Sequence, residues 1–309
     1  MRSAYLETLY DLAQKDERVY AVISDNGAIV YDDFKMAFPD RLLNAGIAEA
    51  NMVGMSAGLA RRGKIPFAYT IGAFLAYRAY EFILNDVCLQ NQNVKMVGIG
   101  EGVSYSLLGS SHHTLYDMAV LRPIPNLIIL SPASPMEVRK AVRAAYEIEG
   151  PVYIRLGTNR EKEIYKQDYK FEVGKGIELI SGNDLTLIST GSMVSDTLEI
   201  AEKLIDKGLS VRVINIHTIK PVDRDIIIKA ANETRLICTI EEHSIYGGLG
   251  SLVSEIVAES CRTAVVKRIG FKDEFALGYG KHNEVKEMNG LGTDKVANDI
   301  EDYYKNIER

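Results

Sequence analysis

Glu49 stands in the stretch NAGIAEANMVGMSAGLARRG, where Gly, Ala and Ser are so frequent that the backbone must pack close to something. A carboxylate in that setting reads two ways: as an acid meeting the positive end of a helix macrodipole, or as a group aimed at a ligand. The next stretch, YTIGAFLAYRAYEFILNDVCLQ, sets Phe74, Tyr77, Tyr80 and Phe82 on a helix, and three-residue steps put Phe74, Tyr77 and Tyr80 along one face. Such a stripe either packs a core or offers a platform on which a flat heteroaromatic ring stacks. A third stretch, EGVSYSLLGSSHHTLYD, follows a strand pattern and carries His112 and His113. Adjacent histidines leave the backbone in different directions, so they do not make a natural metal pair. A loop histidine at the mouth of a parallel sheet serves as a surface or capping group or as a proton carrier, since its unperturbed pKa of roughly 6.5 makes both protonation states accessible.

Other candidates are blander. EEHSIYGGLGS, residues 241–251, joins a strand to a helix through glycines but lacks the spacing of a dinucleotide fingerprint, and reads as a tight turn or interface loop. His217 and His282 have no partner visible in sequence and read as structural or exposed. Cys88, Cys238 and Cys261 lie far apart without CxxC spacing and read as reduced core thiols of a cytosolic protein.

Strand-like runs at residues 19–24, 66–70, 94–100, 127–130 and 152–156 must position these groups, and they alternate with longer helical periods. This is the signature of an α/β domain with a mainly parallel sheet buried on both faces, whose ligands sit outside the carboxyl ends of the strands. The segments after Ser24, Thr70 and Gly100 are therefore where a site is expected. Beyond Asn159 the text turns polar before a second series, LTLIST, VRVINI, RLICTIEE and AVVKRI, in which the helix MVSDTLEIAEKLIDKG closes at a C-capping Gly208. The expected organisation is a first domain over residues 1–165, a linker over 166–183 and a smaller α/β domain over 184–309.

Composition agrees with two packed domains: 309 residues exceed one ordinary core, and 47% hydrophobic with 25% charged residues is globular. A net charge of -6 spread along the chain argues against a nucleic-acid partner or a polybasic membrane patch. The N-terminus lacks the continuous apolar core of a signal peptide, and no apolar run approaches the roughly 20 residues that span a bilayer, so a cytoplasmic location is expected.

Taken in order, these pieces resemble the C-terminal half of transketolase and its relatives over essentially the whole chain. Gly46-Ile47-Ala48-Glu49-Ala50-Asn51 is similar to the family's G-[IV]-x-E-x-N/H segment, AFLAYRAYE to its aromatic segment, and SSHHTLYDMAVLRPIPNLIILSPAS to its T-H-Q stretch followed by L-R-x-[IL]-P-N. DLTLISTGSMVSDTLEIA and EEHSIYGGLGS resemble its C-terminal domain. The resemblance implies a pyrimidine-binding domain, a transketolase C-terminal domain, and thiamine diphosphate as cofactor. By it, Glu49 bonds the pyrimidine ring nitrogen and drives the exocyclic amine to the imino form that removes the thiazolium proton. Phe74 and Tyr77 stack on or edge that ring, and Asp25, in the SDNG turn, lies near it. His112 contacts substrate hydroxyls and assists proton transfer. The implied activity is transfer of a two-carbon ketol unit from a ketose to an aldose.

The family's diphosphate site uses a Gly-Asp-Gly followed about 25 to 30 residues later by an Asn to hold Mg²⁺ and the phosphates, and no such pair occurs in this chain. No metal ligand is assigned here, so the resemblance implies an N-terminal partner subunit carrying the Mg²⁺ site, in an α2β2 assembly. Where transketolases carry G-E-D-G-x-T-H-Q, this chain has Ser106-Leu107-Leu108-Gly109-Ser110-Ser111-His112-His113, so Leu108 replaces the aspartate that contacts donor hydroxyls. An upstream phosphate-binding histidine appears as Gly100, with Glu101 beside it. Arg155 and Arg160 bracket the place of an expected arginine, and Arg2 is a further anion-binding candidate. The substrate candidates are thus His112, His113, Glu101, Arg160 and Arg2, and the expected sugar is unusual: unphosphorylated, modified, or activated elsewhere. Alternatives are the β subunit of a 2-oxo-acid dehydrogenase, the C-terminal half of a deoxyxylulose phosphate synthase, and a non-catalytic scaffold subunit.

Overall fold

In the computed structural model, which describes residues 1–158, 161–260 and 264–307, α1 (Arg2–Lys15) leads into β1 (Val19–Ile23), α2 (Asp32–Ala37), β2 (Leu42–Asn44), α3 (Glu49–Arg61), β3 (Ile65–Ile71) and α4 (Gly72–Arg78). The chain continues through α5 (Tyr80–Phe82) and a π-helical segment (Ile83–Cys88) to β4 (Lys95–Ile99), α6 (Asp117–Leu121), β5 (Ile128–Leu130), α7 (Pro135–Glu147) and β6 (Val152–Leu156). The second half runs β7 (Ile177–Ile180), β8 (Leu185–Ser189), α8 (Met193–Asp206), β9 (Val211–Asn215), β10 (Thr218–Lys220), α9 (Arg224–Glu233), β11 (Leu236–Ser244), α10 (Leu249–Glu259), β12 (Val265–Phe271), α11 (His282–Met288) and α12 (Thr293–Ile307).

Strands β3, β4, β6, β8, β9 and β11 are buried at every residue, as apolar runs in sheets covered on both faces must be. They build a seven-stranded sheet ordered β10-β5-β6-β4-β3-β1-β2 and a five-stranded sheet ordered β12-β11-β8-β9-β7. Every pair is parallel except β10 on β5 and β7 on β9, so the expected α/β architecture with mainly parallel sheets is what the chain adopts. Strands β2, β7 and β10 escape the sequence pattern because each spans only three or four residues. Strand β7 lies inside the segment read as linker, and β10 returns from the second half to finish the first sheet. Helix α8 stops where Gly208 takes φ +90, a left-handed position suited to glycine.

The two halves are joined by buried polar contacts. Glu137 on α7 accepts hydrogen bonds from the hydroxyls of Tyr165 (2.7 Å) and Tyr169 (2.6 Å) and from the side-chain amide of Asn215 on β9 (3.0 Å). Cys88 and Cys238 are buried, and burial pushes both thiols up to about 12; Cys261 lies outside the described residues. Among the described residues no helix is long and apolar enough to cross a membrane.

Lys95, at the start of β4, is fully buried and donates to the backbone carbonyls of Ile148 (2.6 Å) and Gly150 (2.8 Å). Burial lowers its pKa from the ordinary 10.5 to about 7, so the unfolded chain holds the proton more tightly than the native one. Its stabilising contribution is therefore complete above 10.5 and is lost as pH falls through about 7. Replacing it by Met strands two buried carbonyls, and about 1–3 kcal/mol of stability should be lost at alkaline pH. Urea denaturation of wild type and Lys95→Met should show that gap shrinking as pH is lowered toward 7; a gap independent of pH would disprove the assignment.

Candidate active site

Strands β1, β3 and β4 run in parallel, so their carboxyl ends, and the segments that follow, meet at one edge of the sheet. The Ser24 hydroxyl donates to Thr70 at 2.6 Å and ties the first two ends together. The turn after β1 places both Asp25 (φ +60) and Gly27 (φ +69) in the left-handed region. Asn44, closing β2, holds that turn: its oxygen accepts from the amides of Asp25 (3.1 Å) and Gly46 (2.9 Å), and its nitrogen donates to the Asp25 carboxylate (3.0 Å). Gly46, at φ +70, then swings the chain into α3, whose first residue is Glu49. One side chain thus brackets the Asp25 turn and the approach to Glu49.

Glu49 combines both of its sequence readings, since it begins a 13-residue helix and its carboxylate is only 4% exposed. Its oxygen pairs at 3.4 Å with Arg78, whose guanidinium also lies 4.3 Å from the centre of the Phe74 ring. Arg78 carries no role in the sequence reading, although its spacing of four from Phe74 already put the two on one helical face. The aromatic stripe is shorter than expected. Helix α4 ends at Arg78, Ala79 breaks the helix, and Tyr80 and Phe82 pack against the core. Phe74 is half-buried, whereas Tyr77 is at the surface with its hydroxyl accepting from the Tyr116 amide at 2.9 Å.

The segment after β4 is a loop whose neck is closed by mutual backbone hydrogen bonds between Gly102 and Thr114, at 3.1 and 2.8 Å. Gly100 has φ +83, and a Cβ there would lie 2.2 Å from the ring of Tyr105. The space that a side chain at position 100 would enter is therefore filled by Tyr105. That residue, unmarked by the sequence reading, lies near Asn26 of the Asp25 turn, and burial raises its pKa against the lowering charge of nearby Arg2. Arg2 also lies near the Tyr69 hydroxyl. His112 lies with its ring 4.9 Å from that of Phe74 and 6.5 Å from that of Tyr105. Tyr105, His112, Phe74, Arg78 and Glu49 thus form one run of contacts along the mouth, with Asp25 on the neighbouring turn. Leu107 and Leu108 form the exposed tip of the loop.

Two substrate candidates point elsewhere. Glu101 is fully buried, with one oxygen on Arg155 (2.9 Å) and the other accepting from the Ser192 amide (2.6 Å); burial, only partly opposed by Arg155, pushes its pKa up to about 7. It joins the two domains and has no oxygen free for a sugar. His113 is 3% exposed, neither ring nitrogen finds a hydrogen-bond partner among the described residues, and burial lowers its pKa. Both lie beneath the mouth because successive residues of a turning loop face opposite ways. Arg160 lies outside the described residues.

Arg155 itself sits at the centre of a buried cluster. It donates to Glu101 and to Asp117, each at 2.9 Å, and to the carbonyls of Thr114 (3.0 Å) and Glu242 (2.9 Å). His282, far from isolated, bonds the Glu242 carboxylate at 2.7 Å, and the buried His217 stacks on Phe171.

Residues 1–161 match the family model of the transketolase pyrimidine-binding domain, and residues 174–296 that of the transketolase C-terminal domain. The chain belongs to the transketolase family. One subunit of the apulose-4-phosphate transketolase of Phocaeicola vulgatus is 36% identical over 306 residues, covering 98% of this chain and 97% of its own. The 6-deoxy-6-sulfo-D-fructose transketolase subunit SqwH of a Clostridium species is 35% identical over 298 residues, 96% of this chain and 92% of its own. Among solved structures, a split-gene transketolase described as an inactive beta4 tetramer matches with a TM-score of 0.88 at 36% identity, covering 98% of this chain and 97% of that one. The ordered motifs of the sequence had implied this transketolase membership, and the chain matches such split subunits along nearly its whole length.

The two arginines Arg155 and Arg78 should behave differently on truncation. Arg155→Ala leaves Glu101 and Asp117 buried without their counter-charge and should lower unfolding stability by about 3–5 kcal/mol. The half-exposed Arg78–Glu49 pair should yield no more than about 1 kcal/mol in Arg78→Ala. Chemical denaturation of both variants checks this, and equal losses would contradict the placement of Arg155.

Proposed function

We propose that this chain supplies the pyrimidine side of a thiamine diphosphate site and, with a separate chain carrying the diphosphate-binding domain, moves a two-carbon ketol unit from a ketose to an aldose. The observation that carries the reading is the Glu49–Arg78–Phe74 arrangement, in which a buried carboxylate and a ring face together hold one flat hydrogen-bond donor. An aminopyrimidine is such a group, so the residues fit the cofactor, and Arg78, half in solvent, swings away to admit it. When bound, thiamine diphosphate supplies the electron sink for breaking the bond beside the donor carbonyl.

The chain's own residues have distinct tasks in this reading. Glu49 holds the hydrogen bond at the pyrimidine ring nitrogen, Phe74 packs against the ring, and Tyr77 edges it. Asp25, anchored by Asn44, shapes the wall beside the cofactor. His112 faces the substrate and moves a proton at one of its hydroxyls. Tyr105 and Arg2 line the outer mouth, where Arg2 offers charge to an anionic tail.

An apolar rim around the mouth supports a partner there: Ile29, Ile47, Leu107 and Tyr279 are 83%, 79%, 74% and 72% exposed. The named subunits among the relatives support a two-chain enzyme, for which an α2β2 assembly, Mg²⁺ ligands on the partner and a cytoplasmic location are part of the proposal. Leu107 and Leu108, standing where acidic side chains would greet donor hydroxyls, favour a modified sugar, and relatives named for apulose 4-phosphate and 6-deoxy-6-sulfo-D-fructose support that class.

The reconstituted two-chain enzyme should be assayed with D-fructose, its 6-phosphate, its 6-sulfonate, apulose 4-phosphate and pyruvate, with glyceraldehyde 3-phosphate as acceptor. Turnover of a ketose is expected, with Glu49→Gln about 10²–10⁴-fold slower. Turnover of pyruvate alone, or calorimetry showing no uptake of thiamine diphosphate with Mg²⁺, would sink the reading.

A further inference from the structure

The loop bearing Tyr105 and His112 is held at its neck by the second domain, where one residue bonds the outgoing strand directly and shares an Arg155 nitrogen with the returning strand. Glu242, on β11, is 1% exposed. Its Oε1 accepts from the Val103 amide at 2.7 Å, on the outgoing strand of the neck. Its backbone carbonyl accepts from Arg155 at 2.9 Å, and the same Arg155 nitrogen donates at 3.0 Å to the carbonyl of Thr114, on the returning strand. His282, the first residue of α11, holds the same Oε1 through its Nε2 at 2.7 Å. The approach leaves no slack, since a Cβ at Gly102 would fall 2.2 Å from Glu242 Oε1. Further out, Ser106 donates to the Gly280 carbonyl at 2.7 Å.

We infer that Glu242 is a positioning residue for His112, so that the C-terminal domain sets the geometry of the substrate-facing loop. The charge of Glu242 does not reach the mouth directly; it acts through the Val103 amide and the closed neck. The loop body between residues 103 and 113 meets its own domain mainly through ring contacts, Phe74 with His112, which orient weakly compared with charge-assisted hydrogen bonds. Loss of the neck anchor therefore lets His112 drift from Phe74 while the Glu49 side of the site stays as it was.

The inference rests on the proposed role of His112, and two measurements separate them. In the full chain alone, hydrogen exchange by mass spectrometry should show the amides of residues 103–113 exchanging about tenfold faster in Glu242→Met than in wild type, with β3, β8 and α3 unchanged. Glu242→Gln, which keeps an acceptor of the same shape, should restore most of the protection. Unchanged exchange in Glu242→Met overturns the inference, as does acceleration spread over the whole second domain. Gly102→Ala, which crowds the same carboxylate without removing a charge, gives the same readout should Glu242→Met not fold.

In the reconstituted enzyme, with the fastest donor of the sugar panel, Glu242→Met should lower kcat about 10- to 100-fold while leaving the dissociation constant of thiamine diphosphate unchanged. The loss should largely disappear in a His112→Ala background. Additive losses from Glu242→Met and His112→Ala overturn the positioning role alone. Full activity of His112→Ala instead removes the assigned role of His112, and the exchange measurement still decides whether Glu242 holds the loop.

Discussion

A guanidinium that is 99% shielded from water must find fixed partners for its donors, and that demand on Arg155 organises the molecule. Two carboxylates and two backbone carbonyls answer it, drawn from the strand end at Glu101, helix α6, the neck at Thr114 and strand β11 of the other domain. Replacing such a cluster with apolar groups is often neutral for stability, so its value here lies in register. It lets the two domains meet in one orientation and sets the height of the loop that closes the mouth. Burial is felt by the carboxylates around it: it pushes Glu101 up to about 7 against the lowering charge of Arg155, and it raises neighbouring Glu241, whose oxygens accept from the amides of Leu249 and Gly250, to about 7.

The mouth works by a different principle. Apart from the buried Glu49 carboxylate, its polar groups are held by local bonds in the turns, as in the Asn44 bracket on Asp25 and Gly46. Its Phe74 ring lies half in solvent beneath the Arg78 guanidinium, and Ile29, Ile47, Leu107 and Tyr279 are exposed along its rim. A rigid charged interior thus carries a softer edge of loops and exposed rings, the usual division between a scaffold and the segments it positions.

How much of this was legible depends on how local each signal is. The parallel-sheet rule and the strand runs located the mouth, and Glu49, Phe74 and His112 stood out because each lies in a short motif whose neighbours fix its direction. Arg78 was readable in principle from its spacing to Phe74, but a lone arginine on a helix has many ordinary explanations. Tyr105 was not readable, because its place depends on the missing side chain of Gly100 and on a left-handed turn. Glu101 and His113 were drawn to the substrate by adjacency in sequence, whereas the fold turns both inward. Arg155 gave a real clue, a charge inside the buried run VYIRL, but its partners lie 38 to 87 residues away and no pattern in the text joins them.

Strand β10 has a bearing on how the chain is made. Thr218 and Lys220 pair with Leu130 and Ile129, so the margin of the first sheet is finished by residues that leave the ribosome long after that sheet's other strands. Until they arrive, β5 presents unpaired amides and carbonyls, the kind of margin that recruits strands from other molecules. The last element of the first sheet is in effect a latch supplied by the second domain, and the nascent chain is exposed to mispairing until synthesis has passed well beyond the first domain.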